Sequence, residues 1–338
     1  MIDVVSRLGA VQSQDYKAAV WALGLRTRGL TEADIDRLFD MGAILRTHVM
    51  RPTWHFVLPE SLRGLLTLTA PRLRAGSAGR HRELGLDPPT IERAEDVFAS
   101  ELAGGRHRTR SELGEALGLA GISPEGQRLA HLLMCAELDQ VIVSGPRQGK
   151  RLTYALFDER VPPGRDRGRE EIAADLAAAY FRGHGPAQLV DFVWWSGLTT
   201  GQCRSAVALA GDRLASEAVG GTQYWFDAAE EATPGTGLVA HLLPNFDEYT
   251  VAYRDRTHAQ PDFDYEPEYF PFSSILSNVV LVNGRVRGAW RRVPARGALR
   301  VEVRLLAPLA PEESAAVEAS AARMAEFTGR PVELAWVR

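Results

Sequence analysis

The fold is read from "RTRSELGEALGLAGISPEGQRLAHLLMCAELDQVIVSGPRQGKRLTYAL", residues 108–156. In "RTRSELGEALG" the apolar residues fall on one face of a short helix, with Ser111 as the expected N-cap and Glu112 and Glu115 in the opening turn. The Gly and Pro of "LAGISPEG" break that helix. Leu129, Leu132, Leu133, Cys135, Ala136 and Leu138 then recur at helical spacing, which predicts a second helix. "VIVSGPRQGKRLTYAL" supplies an apolar strand, a turn carrying Arg147, Lys150 and Arg151, and a return strand. Helix, turn, helix and basic hairpin in this order describe a winged helix.

The same plan recurs on either side. Over 170–226, "EEIAADLAAAYFRGHG" is a helix closed by glycine and "PAQLVDFVWWSGLT" a helix with proline expected at N1. "TGQCRSAVALAG" is a third helix, and "LASEAVGGTQYWF" is a hairpin with a Gly-Gly turn. A fainter copy begins at "TEADIDRLFDMGA", with Thr31 as N-cap, and continues in "ILRTHVMRPTWHFVLP", two extended runs joined near Arg51-Pro52. From about 236 the pattern turns to strands, with Asn283-Gly284 as the strongest hairpin signal. "PEESAAVEASAARMAEFTG" closes the chain as a helix with Pro311 near N1 and Gly329 past its end, followed by the strand "PVELAWV". The expected chain is therefore α+β, with tandem winged-helix (helix-turn-helix) motifs followed by a C-terminal β-barrel-like domain. Its expected parts are a first winged-helix motif over 1–60, a helical connector over 61–105, winged helices over 106–160 and 168–226, and a β domain with a terminal helix over 236–338.

With 338 residues, 45% of them hydrophobic, the chain is long enough for more than one core. It contains no apolar run of about 18 residues and no basic-then-apolar leader, so a cytoplasmic protein with no membrane partner is expected. Cys135 and Cys203 stand far apart in helical segments, without metal-ligand or disulfide spacing, and are expected reduced and buried. No P-loop, metal-ligand cluster or dinucleotide fingerprint is present, so neither cofactor nor metal is expected. The formal net charge of −4 argues against binding nucleic acid over the whole surface. Basic residues nevertheless gather in "RLRAGSAGRHR", "RHRTR", "RQGKR" and "RVRGAWRRVPAR", and acids in "DAAEE" and "DFDYEPE". Nearly all the positive charge is arginine, a bias owed more to a GC-rich genome than to phosphate binding.

Two stretches place polar groups where the pattern is otherwise apolar. In "VQSQD", Gln12 and Gln14 bracket a small residue, and on the residues alone they cap and solvate a helix terminus. In "RTHVMRPTWHFV", alternation puts Arg51, Thr53 and His55 on one face and Met50, Trp54 and Phe56 on the other, with His48 nearby. Hydrogen-bonded histidines at a domain seam account for His48 and His55 as well as a functional site does. Trp54 reads as core.

"RLGAVQSQDYKAAVWALGLR", "LRTHVMRPTWHFV", "HLLPNFDEYTVAYRDR" and "VVLVNGRVRGAWRR", in this order and spacing, resemble the successive signature blocks of the AlkZ-like winged-helix DNA glycosylases. The resemblance spans nearly the whole chain. It implies tandem winged helices and a C-terminal β domain forming a concave DNA-binding channel. It also implies a catalytic signature of Gln, an aliphatic residue, then Gln or Asp, which maps onto Gln12 and Gln14, with Ser13 in place of the aliphatic. The family normally has a helix ahead of this block, so either the start lies upstream of Met1 or this member lacks that helix.

The family's chemistry suits carboxamides. A purine alkylated at N7 is cationic and departs neutral, so no strong acid is needed. The enzyme has to hold a water against an oxocarbenium-like sugar, and two carboxamides have the donors and acceptors to do so. Asp15 is a rival water-activating group, though on a helix it would point about 100° from Gln14. His48, Arg51, Thr53 and His55 are expected to line the same pocket. A glycosylase that also cuts the strand uses an amine, and only Lys17, Lys150 and the amino terminus qualify. Lys17 more often contacts phosphate, so a monofunctional enzyme is expected. Its substrates would run from N7-alkylated purines to bulky or interstrand cross-linked adducts in double-stranded DNA. Lys17, Arg147, Lys150, Arg151, Arg285 and Arg287 are the expected DNA contacts, and a monomer is expected. The alternative is a non-catalytic winged-helix transcriptional regulator. It would need base-reading side chains on a recognition helix, where only Gln127, Arg128 and His131 are available.

Overall fold

The computed structural model describes residues 1–165, 167–230, 235, 237–262 and 278–337. "DAAEE" and "DFDYEPE" lie in part outside the described residues. The chain forms two compact units, one made of Ile2–Val11 and Arg37–Ala228, the other of Met1, Gln12–Asp36 and Ala229–Arg338. The glutamine block and the residues after it, as far as Asp36, thus group with the C-terminal region, apart from Ile2–Val11 before them.

The first elements are α1 (Ile2–Leu8), β1 (Val11–Gln12), α2 (Tyr16–Leu25), α3 (Glu32–Asp40), β2 (Leu45–Val49), β3 (Arg51–Val57), α4 (Pro59–Glu83) and α5 (Pro88–Leu102). Thr31 caps α3 as expected, its Oγ1 accepting from the Asp34 backbone N–H at 3.2 Å. β2 and β3 form an antiparallel hairpin joined at Met50, whose φ is 64°. The helices α4 and α5 occupy most of residues 59–102.

The 108–156 stretch forms β4 (Arg108–Thr109), α6 (Arg110–Leu119), α7 (Arg128–Leu138), β5 (Ile142–Gln148) and β6 (Arg151–Leu156), with sheet order β4-β6-β5. The cap of α6 is Thr109 rather than Ser111, because Thr109 and Glu112 have the spacing of a reciprocal capping box. Phe98, Leu102, Leu113, Leu117, Leu129, Leu132, Leu133 and Ile142 close one core among α5, α6, α7 and β5. The polar residues at the start of α7 pack within the unit. Gln127 accepts from Arg80, Arg128 donates to the Ser123 carbonyl, and the His131 ring lies 5.3 Å from that of His81.

After α8 (Phe157–Arg160), the unit ends in α9 (Arg169–His184), α10 (Leu189–Ser196), α11 (Thr200–Ala210) and the hairpin β7 (Leu214–Val219) and β8 (Thr222–Asp227). Pro186 does not open α10. It precedes the Gln188 cap, whose box with Asp191 sets the helix start. Cys135 and Cys203 are buried free thiols, and burial pushes each up to about 11.

In the other unit, β9 (Ala240–Leu243) is followed by α12 (Glu248–Val251), β10 (Val279–Val282), β11 (Arg285–Pro294), β12 (Leu299–Leu305), α13 (Pro311–Thr328) and β13 (Val332–Val337). Asn283 and Gly284 turn β10 into β11 with φ of 46° and 78°, the left-handed pair that the dipeptide predicts. The sheet order is β13-β12-β11-β10-β9, an open sheet with β9 and β13 at its edges, so no closed barrel forms among the described residues. β13 joins β12 in parallel after the crossover helix α13. Val317, Ala321, Met324 and Phe327 of α13 are buried, so a helix provides the cover that barrel closure would otherwise give. Gly24 is required where α2 meets this helix: a Cβ there would fall 2.5 Å from the Phe327 ring.

Candidate active site

"VQSQD" runs extended into the start of α2. Asp15, with φ −102° and ψ 112°, is the helix cap and accepts from the Ala18 backbone N–H at 3.1 Å. Its carboxylate thus satisfies an orphan donor of α2 and lies outside the helix proper. Gln12 and Ser13 are buried, and Gln14 and Asp15 are exposed. The two glutamines therefore occupy different environments two residues apart.

The buried end of this segment is gripped from across the chain. The Gln12 backbone N–H donates to Glu248 Oε1 at 2.6 Å, and Glu248 is only 1% exposed. Asp247, the neighbouring residue, caps α12 and takes a bidentate ion pair from Arg26 at 2.7 and 2.8 Å. Arg26, just past the end of α2, folds back to donate to the Ala22 carbonyl. Burial opposes the Arg26 charge, but the charge and hydrogen bonds of Asp247, with Glu248 and Tyr253 adding to them, hold the guanidinium above its ordinary value. Trp21 donates its indole N–H to the Leu242 carbonyl at 2.7 Å, and Arg323 donates to the carbonyls of Gly24, Leu25 and Thr27. Helix α2 thus has a carboxylate at its N-terminus and cations at its C-terminus, as its dipole favours.

Lys17 meets Glu32 at 2.8 Å and Asp36 at 3.2 Å, and Asp36 also accepts from the Tyr16 hydroxyl. Its ammonium is held in a salt link with both carboxylates. Arg292 of β11 is shifted the other way from Arg26. Burial lowers it, the Glu32 and Asp15 carboxylates raise it, and burial prevails. Arg292 is thereby placed within electrostatic reach of the N-terminal end of α2.

His48, Arg51, Thr53 and His55 belong to the other unit, on the β2–β3 hairpin. Register pairs Thr47 with His55 and His48 with Trp54, so His48 lies on the opposite face from His55 and Thr53. The His48 and Trp54 rings are 4.1 Å apart, and His48 Nδ1 meets the Glu137 carboxylate of α7. His55 is fully buried, with Nδ1 3.0 Å from the Thr53 carbonyl, while the Arg51 guanidinium lies 5.8 Å from the Trp194 ring. Beside this hairpin is a cavity of about 190 Å³ lined by Arg46, Trp54, Arg110, Glu137 and Tyr154. Burial and the Glu137 charge push the Tyr154 hydroxyl well above the usual phenol range.

The expected DNA contacts separate into occupied and exposed groups. Arg147 is taken up by Asp40, which accepts from its Nε at 2.9 Å, its Nη2 at 2.8 Å and its backbone N–H at 2.9 Å. Burial works against the Asp40 charge, but these bonds outweigh it and hold the carboxyl below its ordinary value. Arg287 pairs with Glu313 at 3.2 Å and Asp262 at 3.4 Å. Lys150, Arg151 and Arg285 are exposed, Arg285 donating to the carbonyls of Thr257 and Gln260.

Asp247, Glu248, Arg26 and Arg292 were not singled out in the sequence. The adjacent carboxylates stand out only as the one acidic pair in "HLLPNFDEY", and Arg292 as one arginine among several in 285–296.

The sequence model of a family described as DNA glycosylase AlkZ-like matches residues 5–327. A curated protein of Streptomyces sahachiroi named Interstrand DNA cross-link repair glycosylase is 27% identical over 312 residues, spanning 86% of this chain and 82% of that protein. The solved structure of Streptomyces sahachiroi DNA glycosylase AlkZ is similar in fold, with a TM-score of 0.72 and 24% identity, over 98% of this chain and 92% of that one.

Proposed function

The chain belongs to the AlkZ-like DNA glycosylase family and is thus an enzyme of DNA repair, and from that premise we propose that it is a monofunctional glycosylase hydrolysing the N-glycosidic bond of N7-alkylated purines. On this reading it acts as a cytoplasmic monomer on double-stranded DNA and needs no cofactor. The element order α6, α7, β5 and β6, helix, turn, helix and hairpin, supports reading this stretch as a winged helix that meets DNA. Bulky and interstrand cross-linked adducts come within the substrate class through the name of the Streptomyces relative.

The observation that carries the reading is the division of labour in "VQSQD". Gln12 is buried with its main chain anchored, and Gln14 is exposed just ahead of the N-terminus of α2. In the proposed step a water oxygen bonds to the sugar C1′ as the C1′–N bond breaks. The bonding pair leaves with the base, which departs uncharged because alkylation had made it cationic, and the water proton passes to solvent. In this step the Gln14 carboxamide, with an acceptor oxygen and N–H donors, orients the water against the sugar. Lys17 is expected to take no covalent part, being tied to Glu32 and Asp36.

The test is release of N7-methylguanine from duplex DNA alongside borohydride trapping. Robust base release with an intact abasic strand and no trapped complex supports hydrolysis. A trapped complex that disappears in Lys17→Ala overturns the monofunctional assignment, and efficient removal of neutral uracil overturns the substrate class.

A further inference from the structure

We infer that Glu248 is a positioning residue for excision, acting as a hydrogen-bond acceptor that fixes the Gln12 backbone so that Gln14 is delivered in one orientation. The inference rests on the glutamine reading above.

Glu248 and Gln12 are 236 positions apart, so the contact is a product of the tertiary fold and not of local turn geometry. A backbone N–H at a strand end needs only an acceptor, and a main-chain carbonyl would ordinarily serve. Here the acceptor is a carboxylate with 1% exposure, and taking such a charge out of water is costly unless it is well bonded. Charged acceptors give shorter and stronger hydrogen bonds, and 2.6 Å is at the short end for N–H···O. Arg26 lies near enough for its charge to be felt by Glu248, which offsets part of the desolvation.

Asp247 provides the companion grip. Two consecutive carboxylates hold the main chain just before α2 and the guanidinium just after it, so the segment from Gln12 to Arg26 is fastened at both ends by one corner of α12. Gln14 and the Asp15 cap lie between those points. With Gln12 pinned, the main chain two residues ahead of Gln14 is fixed, and a displacement of about 1 Å at a reacting group is enough to cost about a hundredfold in rate.

The test uses the full chain and compares Glu248→Gln with Glu248→Ala by single-turnover release of N7-methylguanine, by affinity for duplex DNA, and by thermal melting. A glutamine still offers an oxygen to the Gln12 N–H but carries no charge. The expected result is a tenfold or greater fall in the single-turnover rate for Glu248→Ala, with DNA affinity within about twofold of the parent. Glu248→Gln should return to within about threefold of the parental rate. Equal losses for both variants would show that the charge and not the bond is used, which overturns the positioning role. So would a parental rate in a folded Glu248→Ala protein. If Glu248→Ala fails to fold, Glu248→Gln decides alone: a folded protein that has lost tenfold or more overturns the inference, and near-parental activity supports it. Gln14→Ala, run beside them, separates the two levels. Full activity there removes the glutamine reading and this inference with it, whereas loss there with none in Glu248→Ala removes only the inference.

Discussion

Glu248 and Glu137 are both 1% exposed, and each meets a polar group far away in sequence, yet they use it differently. Glu248 takes a main-chain N–H of "VQSQD" and leaves the Gln14 side chain exposed. Glu137 takes the imidazole of His48 itself, which Trp54 also covers. In the first region the carboxylate holds the main chain, on the proposed reading so that a neighbouring side chain can act. In the second it consumes the side chain. Polar residues in apolar blocks look alike in a sequence, and the atom that the partner grips tells them apart.

The largest expected effect breaks or upholds the first half of this comparison. Gln14→Ala should lower single-turnover release of N7-methylguanine by about 10² to 10³-fold, the scale of losing one oriented polar group from a transition state. Melting should be unchanged, since Gln14 is exposed. Equal activity in the variant would put both regions in the same structural class. The second half is tested by Glu137→Ala, which strands His48 in the core and should cost about 3 kcal/mol in chemical denaturation, with the folded fraction still excising base at the parental rate. A selective loss of excision with stability intact would make the hairpin part of the reacting machinery.

Acid should act on both units. Burial holds His81 and His131 in one unit and His241 in the other below the ordinary imidazole range, with nearby arginines lowering His131 and His241 further. The native state then binds fewer protons than the unfolded chain once pH drops below about 6.5, so stability is lost as pH falls through that value toward the depressed pKa values. Denaturation midpoints at pH 7.5 and 5.5 should show the decline, and His241→Gln should make it shallower. A flat profile would refute the burial of these rings. The smallest effects belong to the exposed cations. Lys150→Ala and Arg151→Ala should each reduce the salt slope of DNA binding by about one unit, while Arg147→Ala, whose guanidinium is held by Asp40, should lower stability and leave the slope alone. A changed slope for Arg147 would mean that DNA displaces Asp40.

The helices and hairpins were legible in the sequence where period and turn chemistry agreed, as in α6, α7, β5, β6 and the Asn283-Gly284 turn. They were misread where two local solutions competed. Thr109 and Ser111 both offer a cap, and only the reciprocal spacing of Thr109 with Glu112 decides between them. The open sheet was illegible because strand propensity carries no closure information, and the parallel entry of β13 depends on how α13 crosses the sheet. At the site, Gln12 and Gln14 stood out by resemblance to a family signature. Glu248 did not, because its role is a contact across 236 residues. The hairpin histidines are expected among the residues lining one pocket. Register, with its shift between His48 and Val49, places His48 and His55 on opposite sides of the strand pair.

The buried thiols of Cys135 and Cys203 have a consequence for self-protection. With values of about 11, each is thiolate on the order of one part in 10⁴ of the time at neutral pH, and the thiolate is the form that electrophiles attack. The chain has no other cysteine and only two lysines, one of them salt-linked. Alkylating electrophiles therefore find little thiolate on this protein, and prolonged exposure of the native chain to such a reagent should leave both cysteines unmodified in a peptide mass map.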